Sequence, residues 1–111
     1  MTGTYIWYGA DGAPYEYRIY DLAAVWNDVP GNYIFAKEPT VLGGQWMPLY
    51  IGQTNNFENR LGPSHDRWHE ARQNGMTHIH AHTSSPIQKT RRYEEWNLIR
   101  QHMPALNRQR A

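Results

Sequence analysis

The stretch Leu49 to Arg60, LYIGQTNNFENR, constrains this chain more than any other. Leu49, Tyr50 and Ile51 form a short apolar and aromatic run that favours a strand. Gly52 reads as the end of that strand. Asn55 has the chemistry of a helix N-cap, and Glu58, three residues on, is the return partner of a capping box. Arg60 and Leu61 then fall inside the helix that follows. A tyrosine ending a strand, a glycine turn and an arginine on the next helix make a good seat for an anionic group.

The 111 residues suffice for one domain with one core. With 40% hydrophobic and 19% charged residues, disorder is excluded. The formal net charge is only +1, so any contact with nucleic acid has to rest on a local basic cluster. The eight Tyr and five Trp serve a small core or a binding surface equally well. The absence of Cys excludes disulfides and thiolate metal sites. No apolar run approaches a membrane span, and the N-terminus lacks a signal-peptide apolar region. The expectation is a soluble cytoplasmic protein.

Taken in order, Thr4–Tyr8 and Tyr15–Tyr20 are strand-like, with a turn-rich segment between them. They predict an N-terminal β-hairpin. Asp21 to Pro30 is a connector, in which Leu22 to Trp26 could form a helical turn. Gly31–Lys37 and Met47–Ile51 are strands joined by a loop containing Pro39, Gly43, Gly44 and Pro48. Gly62-Pro63 splits the following helical region, because proline is poorly tolerated in a helix interior. A short helix to Leu61 and a second from about Ser64 to Gln73 are expected. Met76–Thr83 alternates as a strand, and Ile87–His102 is the last helix, ended by Pro104. This order predicts an α+β fold, a mostly antiparallel sheet with helices packed on it.

On the last helix, at about 100° per residue, Arg91, Leu98, Ile99 and His102 fall within about 60° of Glu95. Glu95 is therefore placed on the core-facing stripe and Glu94 in water. A carboxylate so placed must be paired or bound to a metal. An i, i+4 pair with Arg91 is the plain alternative.

Five segments now line up: Gly31-Asn32-Tyr33, then Tyr50-Ile51-Gly52, Arg60 ten residues after Tyr50, Glu95 on a late helix, and Asn107 with a proline three residues before it. This pattern resembles the GIY-YIG nuclease superfamily, notably the nuclease domain of the bacterial excision-repair incision subunit. It covers about Gly31 to Asn107. Asn32 stands where the family name has isoleucine, at a strand position.

The resemblance implies a three-stranded antiparallel sheet flanked by helices, ordered ββαβα, with residues 31–107 as catalytic core. Residues 1–30 would be a hairpin extension and connector. It also implies roles. Tyr33 and Tyr50 bring their hydroxyls together, with Tyr50 the general base or its relay. Arg60 stabilises charge on the phosphate. Glu95 holds a single Mg²⁺ or Mn²⁺. Asn107 braces the site by hydrogen bonds. His65 is the auxiliary group near Tyr50, with His69 in reserve. Gln53 replaces a lysine found in some members.

The implied activity is metal-dependent endonucleolytic hydrolysis of DNA, leaving 5′-phosphate and 3′-hydroxyl ends, with RNA or branched DNA open as substrates. A non-cleaving binding module on the same fold is the alternative. Lys89, Arg91 and Arg92, with Arg100, Arg108 and Arg110, form the local basic cluster such a partner needs. His78, His80 and His82 share one strand face, which suits a polar or core-facing surface better than a zinc site.

Overall fold

The computed structural model describes residues 3–108. Its strands are β1 (Thr4–Tyr8), β2 (Pro14–Tyr20), β3 (Gly31–Lys37), β4 (Met47–Thr54) and β5 (His78–Thr83). They form one five-stranded sheet, antiparallel throughout, in the order β1-β2-β5-β3-β4. The helices are α1 (Phe57–Arg60), α2 (Trp68–Gln73), α3 (Gln88–His102) and α4 (Ala105–Arg108). The architecture is α+β, and the expected N-terminal hairpin joins the sheet through β2 and β5.

Strand alternation sorts the core into two layers. On one face Tyr33, Phe35, Tyr50, Ile79 and Ala81 pack with Phe57 and Leu61 around α1, Ala71 of α2 and Leu106 of α4. On the other, Trp7, Tyr17, Ile19, Ile34 and Ile51 pack with Leu98 of α3. β3 is buried along almost its whole length because it lies between β5 and β4 and is covered on both faces.

Four local expectations change. β4 does not stop at Gly52 but continues to Thr54, with Gly52 paired to Tyr33. The N-cap of α1 is Asn56, not Asn55, and its side chain accepts from the Asn59 amide at 3.2 Å. Leu22–Trp26 forms no helix, only a turn closed by the Ala24 amide on the Asp21 carbonyl at 3.3 Å, with the Asp21 side chain accepting from the Ala23 amide. Further along the connector, the Val29 and Asn27 carbonyls take the Phe57 and Glu58 amides and so receive the start of α1. Finally, α2 begins at Trp68 rather than near Ser64, because His65 Nδ1 accepts the Arg67 amide at 2.9 Å. A side chain that captures a backbone amide competes with the helix for it.

The histidines of β5 are built into the packing. His80 is fully buried, and its Nδ1 accepts from the Trp7 indole at 3.0 Å. That bond places the ring proton on Nε2, which has no hydrogen-bond partner among the described residues; the Trp46 and His80 ring centres are 4.4 Å apart. His82 bonds the Glu16 carbonyl and Glu94, and His78 bonds Thr77. Burial, then the charge of His78, pushes His80 down to about 3. Burial, then Arg60, pushes His65 down to about 4.

Both rings stay neutral when their unfolded counterparts protonate below about 6.5. Their contribution to stability is full above that pH and falls as the pH falls toward their folded values. His82 has the opposite sign: burial lowers its pKa, but Glu94 more than reverses this and leaves it raised. Two strongly depressed histidines outweigh it. The unfolding free energy from urea titration, and with it the urea midpoint, is expected to fall between pH 7 and 5.5, the free energy by about 1 kcal/mol for each of His65 and His80. A flat or rising midpoint over that range contradicts the assignment.

Candidate active site

The site is built on a cross-strand pair. Tyr33 of β3 faces Gly52 of β4, and its ring and hydroxyl occupy the space a side chain at 52 would need. Gly52 is therefore a glycine for clearance and not for a turn; its φ is not among the positive glycine angles. Tyr50, two residues earlier on the same face, pairs with Phe35 and has its ring centre 6.3 Å from that of Tyr33. Both tyrosines are buried.

The Tyr33 hydroxyl is where most of the predicted set meets. His65 Nε2 lies 2.8 Å from it. Since His65 Nδ1 accepts the Arg67 amide, Nε2 carries the ring proton and donates to Tyr33. The Asp66 carboxylate lies 3.3 Å from the same Nδ1, but a ring held neutral makes no ion pair with it. Arg60 bears on the Tyr33 hydroxyl by charge and hydrogen bonding, and its guanidinium is fixed by Asp66 at 2.8 Å. Burial first, then Tyr50, raises the Tyr33 pKa well above that of an ordinary phenol; Arg60 opposes this and Glu95 adds to it. Tyr33 is a neutral phenol whose oxygen receives donors and whose own proton is directed elsewhere. His65 also stacks edge-on against Tyr50, 5.4 Å between ring centres. His69 is exposed on α2, so His65 is the histidine of the cluster.

Asn107 reaches this cluster through the backbone. Its side-chain oxygen accepts from the Ile51 amide at 2.8 Å, and its side-chain nitrogen donates to the Ile51 carbonyl at 2.9 Å. β4 is an edge strand, so these groups would otherwise lack a strand partner. The amide of Asn107 imitates one and fixes the backbone between Tyr50 and Gly52.

α3 is rotated from the expected phase. Glu94, expected in water, is buried, while Glu95 is half-buried at the border of the packed face. The stripe runs through Arg91, Glu94, Asn97 and Leu98. The cause is the N-terminal hairpin together with β5. Tyr17 donates to Glu94 at 2.5 Å, His82 lies 3.0 Å from it, and Asn97 bonds Asp11 and Tyr15. Leu98 and Ile99 alone could not reveal a polar wall on strands far away in sequence. Arg91, expected as a nucleic-acid contact, is also buried: it donates to Gln53 at 3.0 Å and to the Ser85 carbonyl at 2.9 Å. Asn32 donates to the Arg91 carbonyl and accepts from Ser84. The residue that departs from the family motif thus ties β3 to α3. Lys89 and Arg92 are exposed. Arg110 and the Arg108 side chain lie outside the described residues.

No group of three or more His, Asp or Glu side chains is gathered for a metal among the described residues. One carboxylate does not make a zinc cage, but a carboxylate such as Glu95 suits Mg²⁺, which keeps several of its waters. A cavity of about 590 Å³, lined by Gly3, Arg18, Tyr20 and Asp21 among others, lies apart from the cluster. Among the described residues no helix is long and apolar enough to cross a membrane. No family model, curated protein or solved structure matches the chain.

Gly52→Ala tests the construction directly. Its methyl group collides with the Tyr33 ring and hydroxyl, so the variant is expected to lose about 1–3 kcal/mol of stability and the His65–Tyr33 hydrogen bond. Urea unfolding and the histidine ring N–H signal report the two effects. Full stability with the ring signal unchanged contradicts the packing argument.

Proposed function

We propose that this chain is a GIY-YIG endonuclease that hydrolyses DNA phosphodiester bonds with a divalent metal. The observation that carries this reading is the Tyr33–His65 contact at 2.8 Å, with the Tyr50 ring centre 6.3 Å from that of Tyr33 and the charges of Arg60 and Glu95 acting on the same hydroxyl. These residues come from β3, β4, α1, α3 and the segment before α2, so only the fold brings them together. The reading takes β3, β4, β5 and the helices as the ββαβα core and the β1–β2 hairpin as its extension.

In this mechanism the phosphate sits against Arg60, a forked cation already oriented by Asp66. Tyr33, held by donors on its oxygen, gives its proton as a hydrogen bond to the substrate or the attacking water. Tyr50 is the base, or relays the proton of water, on a strand segment that Asn107 keeps rigid. Glu95 would hold Mg²⁺ or Mn²⁺, which when bound supplies charge to polarise the phosphate and stabilise the departing oxygen. Water attacks in line, and the products carry 5′-phosphate and 3′-hydroxyl ends.

Plasmid nicking tests the reaction class. The protein is expected to nick with Mg²⁺ or Mn²⁺ and not with EDTA. Glu95→Ala is expected to be inactive, and Tyr33→Phe slower by about 10²-fold or more. A protein that shifts DNA in a gel but cuts neither plasmid, branched DNA nor RNA favours a binding module on the same fold. Substantial cutting by Glu95→Ala contradicts the single-carboxylate metal site.

A further inference from the structure

The outward face of α3 carries a row that the cluster does not use. Lys89, Arg92, Trp96 and Arg100 follow one another at steps of three and four residues, so they share one side of the helix. Tyr93 lies beside them. Lys89, Arg92 and Arg100 are exposed, and Trp96 and Tyr93 expose about half their surface (51% and 50%). The Arg100 guanidinium sits 4.8 Å from the Trp96 ring centre, and the Tyr93 and Trp96 rings are 5.7 Å apart. Tyr93 is pinned by its hydrogen bond to Asp11 at 2.9 Å, which bounds the row on the hairpin side.

The charge on this row is one-signed. The carboxylates near it stand at its borders or are buried: Glu94 is buried, Glu95 borders the row, and Asp11 is held by Tyr93 and Asn97 on the hairpin side. A chain of nearly balanced charge has thus placed three cations, interleaved with two half-exposed aromatic rings, on a single face. Cations alone would serve any polyanion. Flat rings between them add a preference for bases whose faces are open, which a paired and stacked duplex does not offer.

We propose that this face of α3 is a binding track for single-stranded nucleic acid, with unpaired bases stacked on Trp96 and Tyr93 and phosphates on Lys89, Arg92 and Arg100. Taken with the nuclease reading, on which this consequence rests, the track runs alongside Glu95. The substrate is then DNA with an unpaired segment next to the bond that is cut.

Binding of fluorescein-labelled oligothymidylate, followed by anisotropy in EDTA, separates this inference from catalysis. The protein is expected to bind oligothymidylate more tightly than a duplex of equal length. Trp96→Ala is expected to weaken that binding about tenfold, and Trp96→Phe to retain most of it. Replacing Arg92 and Arg100 by Ala is expected to reduce the salt dependence by about 0.7 per cation removed. Equal affinity of Trp96→Ala and the parent, or a duplex bound as tightly as the single strand, overturns the track. If the protein binds oligothymidylate through Trp96 yet cuts no DNA, the track stands and the nuclease reading falls.

Discussion

Much of the candidate site depends on the absence of one side chain. Tyr33 lies across β4 in the space that any Cβ at residue 52 would fill. Without that space the tyrosine could not bring its hydroxyl to His65, and Arg60 and Glu95 would bear on an empty position. The cross-strand register is therefore part of the chemistry. A one-residue slip of β4 would put a side chain where the Tyr33 ring must go and turn Tyr50 to the other face. Asn107 guards that register by hydrogen-bonding both backbone groups of Ile51 on the open edge of the sheet.

The second constraint acts on α3. That helix delivers Glu95, but little about its own apolar pattern fixes its rotation. The fixing comes from polar contacts with the hairpin and β5: Glu94 with Tyr17 of the hairpin and His82 of β5, Asn97 with Asp11 and Tyr15, and His102 with the Tyr8 carbonyl. Burying a carboxylate is costly unless it is hydrogen-bonded, so Glu94 has a strong preference for the one rotation that satisfies it. The β1–β2 hairpin contributes no residue to the Tyr33 cluster, yet it sets the angle at which Glu95 meets it.

What could be read from the sequence follows the range of the interactions involved. The strands from Thr4 to Thr83 and the long helix were legible because alternation and helical periodicity are local. Tyr33, Tyr50, Arg60, His65, Glu95 and Asn107 could be named only because their spacing resembles a known pattern; periodicity alone gave Glu95 the wrong phase. At α1, capped by Asn56 and not Asn55, the first amides are taken by the distant Asn27 and Val29 carbonyls, whereas the late start of α2 was decided locally, by the His65 ring on the Arg67 amide. The Gly52 clearance and the Glu94 and Arg91 networks had no signal in the sequence, because each joins elements far apart along the chain. Tyr93 and Trp96 on α3 show the converse. Their spacing was visible, but only the fold reveals that they face outward.

The most direct measurement is cleavage of a short DNA in water enriched in ¹⁸O, with Mg²⁺ present, followed by mass analysis of the product ends. Direct attack by water at the Tyr33–Tyr50 cluster predicts one solvent oxygen on the new 5′-phosphate and none on the 3′-hydroxyl fragment. Solvent oxygen on a 3′-phosphate, or no product from any DNA offered, contradicts it.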